Sequence, residues 1–70
     1  MTPFELKSFR EALSLSQAEF ARAVGVESDR TVRKWEHGER DIPGPVAVLC
    51  SFAGAIPGVT EALIARSKGR

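Results

Sequence analysis

The stretch SQAEFARAVGVESDRTVRKWEHG, from Ser16 to Gly38, carries one strong helix start and two helix stops, and leaves room for only two short helices. Ser16 with Glu19 three residues on is a capping box, in which the hydroxyl takes an orphan backbone N–H and the carboxylate reaches back. Leu15 before it and Phe20 at the fourth helical position fit a hydrophobic staple. Gly25 is placed to take the left-handed conformation that ends a helix, and Gly38 repeats that signal. Ser28 is predicted to cap the later helix, with Asp29 in its first turn, where the helix dipole favours an acid. That helix places Arg30, Arg33, Lys34 and His37 on one face and Val32 and Trp35 on another.

The flanking segments are helical too. Thr2, Pro3 and Glu5 open a first helix whose Leu6, Phe9 and Leu13 form one apolar stripe, and which ends near Ala12–Leu13. Ser14 and Leu15 connect it to the next. After the turn-rich Glu39–Pro45, Pro43 or Pro45 opens a fourth helix with Val46, Leu49, Phe52 and Ala53 on one side. Gly54 is expected to close it, Ile56 to pack inward, and Pro57-Gly58 to break the chain. Thr60–Arg66 forms the last helix, in which Leu63 and Ile64 are either a lid for the core or a dimer contact. Ser67–Arg70 reads as a frayed basic tail. The expected architecture is one all-α domain of five helices over residues 1–70. Its core is Leu6, Phe9, Leu13, Phe20, Val24, Val32, Trp35, Leu49 and Phe52.

Seventy residues with 43% apolar and 27% charged content suit one globular domain and are too hydrophobic for disorder. No apolar run approaches a membrane span, and the opening MTPFELKSFRE is too acidic for a secretion signal, so a cytoplasmic protein is expected. One cysteine, Cys50, and one histidine cannot assemble a zinc site, and no cofactor is implied. No phosphate loop and no paired carboxylates support catalysis, so an enzyme is not expected. The net charge of +1 is weak evidence for nucleic acid, and the case rests instead on where the charges point. A short helix with a packed back and a cationic, hydrogen-bonding front suits the major groove of DNA, where Arg30 or Lys34 can reach guanine O6 and N7.

Arg10, LSQAEFARAVGV and TVRKWEHGER together resemble the lambda-repressor-like helix-turn-helix family of phage repressors, Cro proteins and Xre-type bacterial regulators. The resemblance covers roughly two thirds of the chain. It implies a buried salt bridge from Arg10 to Glu36 that ties the first helix to the third. It implies base reading by Arg30 and Lys34, with Arg33 facing bases or phosphate and Asp29 beside them, and phosphate contacts from Ser16, Gln17, His37 and Arg40. The segment Val26–Arg30 is one residue longer than the family's usual turn, so either the turn lengthens or the third helix starts a step early.

These readings converge on a sequence-specific double-stranded-DNA-binding transcriptional regulator of bacterial or phage origin. It is expected to act as a repressor and to bind a palindromic operator as a homodimer. The alternative is an antitoxin or adaptor whose main partner is another protein.

Overall fold

The computed structural model describes residues 1–68. Five α-helices and no strand occur among the described residues: α1 (Pro3–Ala12), α2 (Gln17–Val24), α3 (Asp29–Glu36), α4 (Gly44–Ala55) and α5 (Pro57–Ser67). The expected all-α, five-helix architecture is therefore present. None of the helices among these residues is long and apolar enough to cross a membrane.

Local chemistry sets the boundaries of the first three helices. Thr2–Glu5 and Ser16–Glu19 both form complete capping boxes, so two orphan donors are satisfied at each start. At the other ends, Gly25 and Gly38 take φ of 83° and 76°. There the Val26 N–H donates to the Ala21 carbonyl at 3.0 Å, and the Glu39 N–H to the Lys34 carbonyl at 2.9 Å. Helix α1 ends in the same way, but with Ser14 at φ 59° in place of a glycine. A side chain in that region costs about 1–2 kcal/mol.

The core forms where α1, α2, α3 and α4 meet. Leu6, Leu15, Phe20, Ala21, Val32, Trp35, Val46 and Cys50 are buried together, with Phe9, Leu13 and Val24 half-buried at the margin. Phe9 and Phe20 meet edge to face, their centroids 6.3 Å apart. A second cluster of Ala23, Ala53 and Leu63, bordered by Leu49 and Val59, seats α5 on α2 and α4. Paired arginines lock that seat: Arg22 Nε donates to the Ser67 carbonyl at 3.1 Å, and Arg66 Nε to the Ala23 carbonyl at 2.8 Å. Each helix thus supplies a donor to the unsatisfied carbonyl end of the other. Thr60 Oγ1 donates to the Ala53 carbonyl at 2.9 Å and joins α5 to α4.

Several expectations need correction. Phe52 is exposed, not core, and Ile56 is exposed rather than packed inward. Helix α4 buries Val46, Cys50 and Ala53, a face centred well over 90° round the helix from Phe52 at 100° per residue. Ile56 lies in extended backbone at the junction of α4 and α5, φ −123°. Gly54 does not close α4, which continues to Ala55, and Pro57 opens α5 instead of breaking the chain. Ser28 holds the cap position of α3, but its side chain makes no capping hydrogen bond. Leu63 is interior, so it is a lid and not an available dimer contact; Ile64 is half-buried. Ser67 is not frayed: it is fully buried, and its hydroxyl donates to the Ile64 carbonyl at 2.6 Å. Lys68 caps α5 and is exposed, and the last two residues of the expected tail, 69–70, lie outside the described residues.

Two stability measurements test this arrangement. In urea denaturation, Phe20→Ala is expected to cost about 3–5 kcal/mol. Phe52→Ala should cost less than about 1 kcal/mol, and equal losses at the two sites would contradict the assignment of α4's faces. Ser14→Gly is expected to raise the midpoint, by less than the full strain because glycine adds about 0.5–1 kcal/mol of unfolded-chain entropy.

Candidate nucleic-acid interface

Helix α3 separates its two faces sharply. Val32 and Trp35 are 0% and 2% exposed, whereas Arg30, Arg33 and His37 are exposed and Lys34 is half-buried. Among the described residues, no carboxylate lies within salt-bridge distance of Arg30, Arg33, Lys34 or Arg40, so these cations are free to meet another charge. Asp29 begins α3 two residues before Thr31, which puts Asp29 and Arg30 together in its exposed first turn. Gly25–Ser28 make the connection from α2.

The angle of α3 is fixed by a buried ion pair. Arg10 Nε donates to Glu36 Oε2 at 2.6 Å, and Nη2 to Oε1 at 3.1 Å. The two side chains are 11% and 2% exposed. Arg10 Nη1 donates to the Leu15 carbonyl at 2.8 Å, and Gln17 Nε2 to Glu36 Oε1 at 3.1 Å. One carboxylate therefore gathers α1, the α1–α2 connection, the start of α2 and the end of α3. The Leu15 carbonyl was missed in the sequence because a backbone acceptor leaves no residue-type signature.

The hydrogen bond to Glu36 raises the Arg10 guanidinium above its ordinary value, against an opposing desolvation. Burial pushes the Glu36 carboxyl up, but the bonds from Arg10 and Gln17, with the charge of Arg10, outweigh it and hold the group below the usual carboxylate range. This compensation also answers the helix dipole, since an acid at the last residue of α3 sits at the negative end.

The residues expected to meet phosphate lie at two helix ends. Ser16 accepts the Glu19 N–H at 3.1 Å and keeps its own hydroxyl hydrogen for an outside acceptor. Gln17 uses one amide hydrogen on Glu36 and retains another. The Gln17–Glu36 bond sets the N-terminus of α2, with its free N–H groups, beside the last turn of α3. His37 and Arg40 are exposed beyond that turn, and His37 Nδ1 is 3.7 Å from Glu39 Oε2.

A family model described as helix-turn-helix matches residues 6–51, from α1 into α4. The chain belongs to the lambda-repressor/Xre-like helix-turn-helix family. It is accordingly a DNA-binding helix-turn-helix regulator. Searches of curated proteins and of solved structures return no match. Within this helix-turn-helix chain, α2 and α3 are the paired elements, while α5 lies beyond the matched segment.

The pH dependence of stability tests the buried pair. Because Glu36 titrates lower in the folded chain, its stabilisation is complete above its ordinary value of 4.5 and is lost as pH falls through the folded value. Glu36→Gln is expected to cost about 3–5 kcal/mol at neutral pH and to flatten the fall in stability below pH 4.5. Glu19, held low by the Ser16 backbone N–H, leaves a residual slope. Removing both charges, with Arg10→Met and Glu36→Leu together, should recover much of the loss. Melting curves between pH 7 and pH 3 read all three, and an unchanged acid slope in Glu36→Gln would exclude the pair as a main source of acid sensitivity.

Proposed function

We propose that the chain is a sequence-specific transcriptional regulator, acting as a repressor, that reads double-stranded DNA by laying α3 in the major groove. The observation that carries this reading is the polarity of α3: its apolar side is consumed by the core, and its arginines stand exposed without carboxylate partners among the described residues. Arg30, with a guanidinium fork suited to guanine O6 and N7, is the foremost base-reading residue, with Arg33 and Lys34 beside it and Asp29 able to accept from cytosine N4. Ser16, Gln17, His37 and Arg40 grip phosphate and set register. The residues of the chain act as one DNA-binding module without a cofactor. A single α3 makes few base contacts, so two copies bind a palindromic operator with half-sites about one helical turn apart. Occupancy of such a site near a promoter blocks polymerase.

Selection of bound duplexes from a random pool is the direct test, and it should return an inverted repeat. The double variant Arg30→Ala, Lys34→Ala should keep its helical circular dichroism and lose at least about tenfold in preference for that repeat, since each bidentate contact discriminates by about 1–3 kcal/mol. Gln17→Ala and Arg40→Ala should weaken binding to all duplexes alike, with the Arg40 variant also reducing the salt slope by about one. Failure of the wild-type chain to enrich any duplex at moderate salt would refute the assignment.

A further inference from the structure

Two large apolar side chains on one line of α4, and a third at the residue that ends it, lack cover. Val48, Phe52 and Ile56, spaced four apart, expose 52%, 53% and 49% of their surface. Val48 and Phe52 lie away from the side on which Val46, Cys50 and Ala53 enter the core. Ser51 and Ala55, exposed and small, lie beside them, and no residue of Gly44–Ala55 is charged. We propose that this face of α4 is the contact between two copies of the chain bound to DNA. It is too small to hold a dimer in solution and sufficient to couple two bound copies. The inference rests on the DNA-binding reading and adds to it the surface and the strength of pairing.

Three considerations select a second copy as the occupant. A twofold contact sets a patch against itself, so the patch has to be self-complementary. A charged face repels its own copy, whereas an uncharged apolar one with small residues does not. Antiparallel α4 axes would also place the positive end of one helix dipole beside the negative end of the other.

The available area then sets the strength. Three half-exposed side chains offer on the order of 300 Å² per copy, against about 800 Å² per partner in a stable complex. Association in free solution bears the whole loss of translation and rotation, while copies held on neighbouring half-sites have already lost most of it. The third consideration is size. The longest extent of the molecule is 30 Å, slightly below the half-site separation of about 34–36 Å, so copies on successive turns of one duplex are near enough for a small contact and too far apart for a large one.

The test separates pairing from DNA binding. Without DNA, sedimentation should show a monomer at micromolar concentration. Concentration-dependent NMR shifts at millimolar concentration should be confined to the Val48, Ser51, Phe52, Ala55 and Ile56 line. On duplexes enriched by the wild-type chain, carrying one half-site or both, two half-sites should bind cooperatively by about 5–150-fold. Val48→Lys and Phe52→Glu, assayed singly and each checked for helical content, should retain single-half-site affinity and lose that cooperativity. Retained cooperativity in both variants, a micromolar dimer, or millimolar shifts that are absent or centred elsewhere would each overturn the proposal. If no duplex is enriched but the α4 shifts appear and vanish in Val48→Lys, the DNA reading fails while the self-contact of α4 stands.

Discussion

The carboxylate of Glu36 is the joint on which the structure turns. It sits at the end of α3, nearly closed to water, and is held by Arg10 from α1 and Gln17 from α2. A buried ion pair of this kind adds little net stability compared with apolar packing. What it does supply is direction, because the guanidinium fork donates to both carboxylate oxygens in one plane. Three helices too short to hold an angle by themselves are oriented by that geometry. Arg10 also takes the Leu15 carbonyl, so the connection into α2 is fixed by the same side chain.

Fixing α3 in this way matters because the cations proposed to meet bases stand on the opposite surface of the same two turns. A rotation of α3 that freed Trp35 would bury Arg30 or Arg33, and the core prevents it. Trp35 does this at some cost: its Nε1–H is buried with no acceptor among the described residues, which costs about 1–3 kcal/mol. The indole is retained as filling between Leu6, Val32, Val46 and Cys50, and its polar atom is an expense of that size. The arginines of α2 and α5 act differently. Arg22 and Arg66 grip each other's helix ends through backbone carbonyls, so α5, beyond the family-matched segment, is fastened by hydrogen bonds as well as by Leu63.

Which parts of this could be read from the sequence follows from the range of the forces involved. The capping boxes at Thr2 and Ser16 and the left-handed glycines at 25 and 38 act within a few residues, so their spacing is visible in the chain. The sharp division of α3 into charged and apolar sides was legible for the same reason, and Arg10–Glu36 was legible through family resemblance. Helix α4 was not, because GPVAVLCSFAGA is apolar all round and gives periodicity no contrast. The packing of Val46 and Cys50 into the core, with α5 against Ala53, decides that Phe52 faces out. Ser14 gave no signal, since a serine in left-handed backbone is imposed by the Arg10–Leu15 closure around it. Ser67 looked like the start of a basic tail because the helix ending on it is held by Arg22, forty-five residues away in the chain.

The buried cysteine on the inner face of α4 carries a consequence of its own. Desolvation pushes the Cys50 thiol up to about 11, so at neutral pH only about one molecule in ten thousand carries the reactive thiolate. It is also the only sulfhydryl in the chain. Alkylating reagents and mild oxidants therefore reach it only when α4 lifts from Trp35 and the core residues of α1 and α2. The rate at which that single sulfur is labelled is then a clock for the opening of the interior, built into the native chain.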